Sequence, residues 1–514
     1  MNGKIKGIIV CGVVVVCLGG MAVFLQKTSD GNNKSDSSSS SSVTETSSKS
    51  EKISVLKRDQ KDIRSIKVKN THGEFTLEKP DSGKEQWLID KLTSIDASDT
   101  MITSLLSNSA DLEAKKLVEE NVTDFSKYGL DKPTAEATIT YTDGKSVTVQ
   151  VGTTAPEDKY SYARIKGENS VYMIFTTKLN YYTEPVTAYV STTIIEKPSD
   201  NDWPEYGVET ITRKDLDYKM VFRNDTKNKG GMVSAQVMSE PIYSYLNVTN
   251  SSTVTHGMWG LSASECAVVK PQEKDFKKYG LDDPLCTVNL KGDKYNYTLK
   301  VGNPVYADKD DSSSIAESTD SSSADNSSGI TGYYCYVIGV NNKDCIYVIS
   351  ADSLPWVTIK PSDVITTLMT ANYIVDTENL TIEYNGKTYK YDITSNGTSD
   401  ESQTDSGDKV DVTKVAIDGK ELNVDKFKSF FQYVLTCPTT EVYFKDPTTE
   451  KYMTITFKEK DGSKDVLEFY KESARRTVIK LNGKTSFRIN NTWVDTLVKN
   501  INSLENGGDI DDNY

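Results

Sequence analysis

The sequence predicts an α+β protein: tandem related domains dominated by antiparallel β-sheet, with one packed helix each, after an N-terminal transmembrane helix. Three observations carry this expectation. The decapeptide DFSKYGLDKP, Asp124 to Pro133, returns as DFKKYGLDDP, Asp275 to Pro284, with eight of ten positions identical. Alternating apolar and polar residues broken by Gly-containing turns follow each copy, the period-two signature of hairpins. Before the last such hairpins, Phe427, Phe430, Phe431, Val434 and Leu435 recur at helical spacing, giving one apolar stripe to lay on a sheet.

A chain of 514 residues exceeds one ordinary domain and fits about three. Its formal net charge of -14 argues against nucleic acid as a partner, because phosphate binding needs a basic face. The same charge argues against docking of the folded part on anionic lipid headgroups.

The N-terminus, MNGKIKGIIVCGVVVVCLGGMAVFLQK, sets Lys4 and Lys6 before an uncharged run from Gly7 to Gln26, closed by Lys27. Helical rise makes such a run long enough to span a hydrocarbon core of about 30 Å. A cleaved signal peptide is the competing reading, but Met21-Ala22-Val23-Phe24 offers no good small-x-small site, so an uncleaved anchor is expected. The two lysines place the short end in the cytoplasm and the bulk of the chain outside it, on a single-pass anchor in the cell membrane. Cys11 and Cys17 follow Val10 and Val16 rather than a small residue, so they read as apolar filler and not lipid-attachment sites. Residues 1–27 are therefore a cytoplasmic stub and anchor, and residues 28–52 a Ser-rich tether too poor in apolar residues to fold.

Three related units are expected next: 53–197, 198–360 with a polar disordered insertion at 308–329, and 361–506 with a polar disordered loop at 395–408. An acidic tail, 507–514, closes the chain. The first unit opens with strand-rich IRSIKVKNTHGEFTLEK, Ile63 to Lys79; the third with LTIEYNGKTYKYDI, Leu380 to Ile393. Asp96 and Asp425 are expected to open a helix by accepting from its free N–H groups and meeting the positive end of its dipole. After each decapeptide come two hairpins. In the first unit they are TAEATITYTDGKSVTVQVG (Thr134 to Gly152) and SYARIKGENSVYMI (Ser161 to Ile174). In the second they are LCTVNLKGDKYNYTLKVG (Leu285 to Gly302) and YYCYVIGVNNKDCIYVI (Tyr333 to Ile349). The third unit repeats both between Tyr452 and Ile489, with turns at Asp461-Gly462 and Asn482-Gly483, but lacks the decapeptide. A period of roughly 150 residues is far beyond solenoid spacing and means duplication of a whole domain.

Each residue of the decapeptide has a structural reading. In this structural repeat motif, which runs from Asp124 and from Asp275, Phe125 and Tyr128, like Phe276 and Tyr279, lie three apart on one helical turn. Gly129 and Gly280 are placed to take the left-handed conformation that ends it. Leu130 and Leu281 are expected in the core, and Asp131 to Pro133 and Asp282 to Pro284 to turn the chain into its hairpin.

The anchor, KYGLDKP, a DG hairpin, VG and a YxRxxG…VYxI hairpin together resemble the bacterial family catalogued as domain of unknown function 4340. The likeness covers Tyr128 to Ile174, and Tyr279 to Ile349 once the insertion is removed. It implies a membrane-anchored extracytoplasmic protein, and members are similar to partners of ABC-type transport systems such as those of gliding motility. No catalytic residue comes with the resemblance.

Little in the sequence points to chemistry. Its two histidines, His72 and His256, both sit near glycine in expected turns, and neither belongs to an HExxH zinc motif. No nucleophile elbow, Walker A sequence or dinucleotide fingerprint occurs. WGLSASECA, Trp259 to Ala267, brings serines and a cysteine near His256 in sequence only, which is no evidence of a triad. Asp308, Asp310 and Asp311 lack the Gly and Glu of a calcium loop. Cys266, Cys286, Cys335, Cys345 and Cys437 are odd in number, so they cannot all pair within one chain. Cys335 and Cys345 flank a hairpin and could face each other, but buried free thiols are the preferred reading. The 29 tyrosines cluster in expected strands, where they suit a sheet and can also stack on sugar rings or a partner.

The expectation is accordingly non-enzymatic, with no catalytic residue, cofactor or metal: an extracytoplasmic accessory or scaffold protein working with an ABC-type permease and ATPase. A surface module binding cell-wall or host polymer is the alternative, and a hydrolase with an unrecognised carboxylate site ranks third.

Overall fold

The computed structural model describes residues 53–79, 86–156, 158–226, 232–307, 329–399 and 410–512. The expected anchor and tether lie outside these residues, as do 308–328 and 400–408 of the two polar loops. Among the described residues no helix is long and apolar enough to cross a membrane.

The described chain is mostly antiparallel β-sheet, in three large sheets and one small one. The first large sheet runs Leu88–Ile89, Gly73–Glu78, Ile63–Asn70, Ala135–Tyr141, Ser146–Thr154, Tyr160–Ile165, Val171–Phe175, Lys116–Glu119. The second runs Ser244–Tyr245, Gln236–Glu240, Met220–Asn224, Val208–Arg213, Cys286–Lys291, Asn296–Tyr306, Ile330–Ile338, Cys345–Ser350, Glu265–Val269. The third runs Lys420–Glu421, Val412–Ile417, Lys387–Ser395, Thr377–Tyr384, Met453–Glu459, Lys464–Lys471, Arg476–Leu481, Lys484–Asn490. All three share one plan. An opening meander lies beside two hairpins, joined where the first strand of the meander pairs with the first strand of the hairpins. In the first two sheets a short strand closes the far edge; in the third, a single bridge from Val442 to Phe487 takes its place.

Alternation explains the strands. In Ala135–Tyr141 every second residue, Ala135, Ala137, Ile139 and Tyr141, is buried, while Glu136, Thr138 and Thr140 face outward. Helix Val424–Leu435 buries Phe427, Phe430, Phe431 and Val434 against the third sheet, as its stripe predicts.

Two expectations about helices are corrected. The cap of this helix is Asn423, whose side chain accepts from Lys426 N at 2.9 Å, not Asp425, which lies in the first turn. The cap of helix Asp99–Ala110 is Ser98, accepting from Met101 N at 3.4 Å, and Asp96 instead pairs with Lys343 at 3.0 Å. Both true caps stand three residues before the N–H they accept from, the reach that a short side chain allows. The second correction concerns number. Helix Thr176–Thr183 packs beside Asp99–Ala110, and helix Asn491–Glu505 beside Val424–Leu435, so the first and third sheets each carry two helices.

The sheets are joined by a repeated crossing of the chain. Beyond the last helix of the first sheet, Tyr189 O accepts from Ser98 N (2.7 Å) and Ser191 N donates to Asp96 O (2.8 Å), just ahead of that sheet's own helix. The same segment continues into the second sheet: Thr192 O accepts from Ala263 N (2.8 Å) and Ile194 N donates to Leu261 O (2.9 Å). The next crossing copies it. Val364 O accepts from Asn247 N (2.8 Å), Thr366 N donates to Tyr245 O (3.1 Å), and Thr366 O accepts from Thr439 Oγ1 (2.9 Å) of the third unit. The small sheet, Ile53–Lys57 on Asp111–Ala114, fills the equivalent place in the first unit, directly after its helix. One continuous buried cluster runs from Leu56 to Leu504, through all three sheets.

Candidate functional site

Both decapeptides form the same buttress. In the first copy Ser126–Tyr128 is a single 3₁₀ turn, and Asp124 accepts from Ser126 N at 2.9 Å. In the second, Glu273–Lys278 is an α-helix, and Asp275 accepts from Gln272 N at 2.8 Å. Asp124 thus satisfies a donor inside its own turn, whereas Asp275 reaches back to the N–H of the residue that caps its longer helix. Gly129 and Gly280 follow at φ 65° and 70° in the left-handed region, and Leu130 and Leu281 are buried. Leu130 N returns to Phe125 O at 3.1 Å and Leu281 N to Phe276 O at 2.8 Å. Phe125 lies under the Arg164 guanidinium at 3.6 Å, and Phe276 packs on Tyr336 at 4.9 Å. Tyr128 and Tyr279 pack on Tyr162 and Tyr334, at 4.9 and 4.3 Å. Asp131 and Asp282 are exposed, and Pro133 and Pro284 half-buried, at the entry to the hairpin.

The turn lies directly on the hairpin that follows it. A Cβ at Gly152 would stand 2.1 Å from Tyr128 O, and one at Gly302 2.2 Å from Tyr279 O. Only glycine permits that approach. The buried residues of the motif thereby pack on the hairpin that follows it.

The remaining residues singled out in the sequence do not converge. His72 lies in an exposed turn, its N–H donating to Asn70 Oδ1 at 2.9 Å. His256 Nδ1 meets Thr255 Oγ1 at 2.8 Å, whereas Ser262 bonds Gly260 O and Ser264 bonds Val348 O. All five described cysteines are buried and free. Cys335 stands opposite Tyr347 rather than Cys345, so the hairpin does not bring those two face to face. The described part of the acidic tail is tied to the third unit: Asp511 exchanges two backbone bonds with the Asn500 side chain, at 2.7 and 2.8 Å, and Asp509 pairs with Lys426 at 2.9 Å.

What the sequence reading missed is an aromatic cluster at one end of the second sheet. Trp203, Tyr206, His256 and Trp259 meet with ring centroids 5.6 to 6.2 Å apart, and Tyr295 extends the group from Trp259 at 5.5 Å. Three chain segments build it: the loop after the first crossing, the end of helix Val248–Thr255, and the turn of the first hairpin. Tyr295 ties loop to hairpin, its hydroxyl donating to Glu205 O (2.8 Å) and accepting from Gly207 N (2.9 Å). Trp203 is 38% exposed, so the cluster reaches the surface.

Beneath it lies Glu209, wholly buried. It accepts from Tyr206 Oη at 2.9 Å and from Trp356 Nε1 at 2.6 Å. Burial pushes its carboxyl up to about 8, against the pull of those two donors, and burial also holds the His256 imidazole below its ordinary value. Glu209 has no path to a ligand; the exposed face of Trp203 does. A signal was present, because Glu209 falls in phase with buried Ile211 on a strand, an acid on the apolar face.

Two open cavities lie elsewhere among the described residues. One of about 570 Å³ is lined by Glu383, Tyr384, Lys387, Lys451 and Tyr452 of the third sheet. The other, of about 340 Å³, lies between Gln86–Asp96 and Asn342, where the first unit meets the second. The lysines of the first cavity already pair with acids, Lys387 with Glu505 at 2.9 Å and Lys451 with Glu468 at 3.3 Å.

Residues 87–229 match the family model described as Domain of unknown function (DUF4340). The match begins at Trp87, takes in the first decapeptide and both of its hairpins, and ends beyond strand Met220–Asn224 of the second sheet. No curated protein and no solved structure matches the chain.

Proposed function

From the premise that residues 87–229 carry a DUF4340 domain, we propose that this protein is a membrane-anchored extracytoplasmic scaffold serving an ABC-type transport system, with no catalytic role of its own. The observation that supports it is the repeated crossing. The chain leaves each sheet only after bonding to that sheet's helix start, and enters the next by bonding behind its helix. Such joints suit a body that holds a partner at a fixed place, since hinged units would have to break several backbone bonds and a shared core to move. The anchor at residues 7–26 would pack on the permease, and the tether would set the reach of the body.

The test is affinity purification of the full-length protein from gently solubilised membranes, with quantitative mass spectrometry. Co-enrichment of a permease and an ATPase, lost when residues 7–26 are replaced by an unrelated helix, supports the proposal. Recovery of the protein alone overturns it.

A second reading, binding to a wall or host polymer, draws on the exposed Trp203 and the aromatic residues behind it. Aromatic faces stack on sugar rings, and Trp is the residue whose loss costs such contacts most. Retention of fragment 53–504 on purified polymer, reduced at least tenfold by Trp203→Ala, would favour it; equal retention of both would not.

A further inference from the structure

The joints between units are built around one residue, the one just before a helix cap. In the first unit it is Ala97, bridged antiparallel to Val190: Ser98 N donates to Tyr189 O (2.7 Å) and Ser191 N to Asp96 O (2.8 Å). In the second it is Leu246, bridged to Ile365: Asn247 N donates to Val364 O (2.8 Å) and Thr366 N to Tyr245 O (3.1 Å). Ser98, Asn247 and Asn423 cap helices Asp99–Ala110, Val248–Thr255 and Val424–Leu435, which makes Leu422 the third such residue.

Leu422 stands between the same groups, with no strand across from them. Lys420–Glu421 is an edge strand, paired with Val412–Ile417 on one side alone. Ile417 faces Lys420 across a two-residue turn, and Leu422 N donates to Val415 O at 2.9 Å. Alternation then points the Glu421 C=O and the Asn423 N–H away from the sheet. Among the described residues, no backbone group meets Glu421 O or Asn423 N. Glu421 and Asn423 are exposed, whereas Asp96, Ser98 and Asn247 are half-buried and Tyr245 is buried. The described chain beyond helix Asn491–Glu505 does not fill the place. Asp511 turns back to Asn500, and Gly507 O accepts from Lys426 Nζ at 2.8 Å.

We propose that residues 421–423 form an open joint that takes an extended strand of a partner protein. The two filled joints describe that strand. Tyr189-Val190-Ser191-Thr192 and Val364-Ile365-Thr366-Thr367 each set a β-branched apolar residue at the bridge, then Ser or Thr, then Thr. Val190 is buried and Ile365 half-buried, so the partner presents such a residue to Leu422, itself half-buried. β-Branched side chains also favour the extended backbone that the bridge needs. The partner's N–H after that residue donates to Glu421 O, and its C=O before it accepts from Asn423 N. Strand addition of this kind draws affinity from main-chain bonds and specificity from the side chain at the bridge. A second copy of this chain has its Val190 and Ile365 segments engaged in its own joints, so the occupant is a different protein. The proposal rests on the scaffold reading and gives that scaffold the place where it holds its partner.

The test titrates a fluorescent peptide of residues 361–369 against the full-length protein in mild detergent. Saturable binding is expected, weakened about tenfold when the peptide amide at the Thr366 position is N-methylated, since that donor is the one Glu421 O receives. Asn423→Pro removes the other donor and should weaken binding to a similar degree. No binding at millimolar peptide, equal binding of the methylated peptide, or equal binding to folded Asn423→Pro overturns the proposal. If that variant does not fold, hydrogen exchange on the wild type replaces it: the peptide should slow the Asn423 amide about tenfold, and an unchanged rate overturns the proposal. The anchor takes no part in this titration, so its failure and a failed co-purification are separate results.

Discussion

A methyl group at Gly302 would stand 2.2 Å from the Tyr279 carbonyl oxygen, and the backbone on both sides is held by hydrogen bonds, among them Asn303 N to Tyr279 O at 2.8 Å. Gly302→Ala should cost about 1–3 kcal/mol, read as a lower urea midpoint, whereas Gly386→Ala in an open turn lacks this overlap and should lose only what its left-handed φ demands. Glu209 offers a second test at this scale. Its carboxyl stays protonated in the folded chain up to about 8 but ionises near its ordinary value when unfolded, so the folded state binds more protons in between. Its contribution is fully present below the unfolded value and is lost as pH rises through about 8, on the order of a few kcal/mol in all. Urea midpoints measured from pH 5 to 9 should fall for the wild type and flatten in Glu209→Gln. A parallel fall in both would refute the assignment. The decapeptide was readable residue by residue because its contacts are local. Glu209 could be flagged by its phase with Ile211, but its donors were not legible, because Trp356 lies far along the chain.

At the scale of elements, hairpins and helix stripes were legible because their periods are written in consecutive residues. Helix Asn491–Glu505 was equally legible in Trp493, Val494, Leu497, Ile501 and Leu504, all buried, and was overlooked only because it follows the last expected strand. The crossings were not legible at all. Tyr189 to Ile195 bonds to residues 96–98 on one side and 260–263 on the other, too few per partner to leave a strand pattern. Their energetic weight can be measured. Ala263→Pro removes the N–H that bonds Thr192 O, and leaving a carbonyl without its donor costs about 1–3 kcal/mol. Limited proteolysis between residues 196 and 205 should accelerate roughly tenfold, in step with that cost. At the second junction, Tyr245→Phe strips the hydroxyl that donates to buried Asp465 at 2.8 Å, and the thermal midpoint should drop by several degrees. Unchanged cleavage and an unchanged midpoint would mean that the junctions carry no load.

For the molecule as a whole, the shared plan of three sheets could be anticipated from the repeated text, but their union could not. Duplicated domains are by default free to move on their linkers. Here the linker is itself a bonded strand, and the core passes without interruption from Leu56 to Leu504. A scaffold role rests on that union more than on any single site. It is tested most directly by the distance between spin labels placed at exposed Lys145 in the first sheet and exposed Ala474 in the third, on the soluble fragment 53–512. One narrow distance distribution, unchanged between dilute buffer and moderate urea below the unfolding transition, is predicted. A broad or multi-peaked distribution would show units that move independently and would contradict the account.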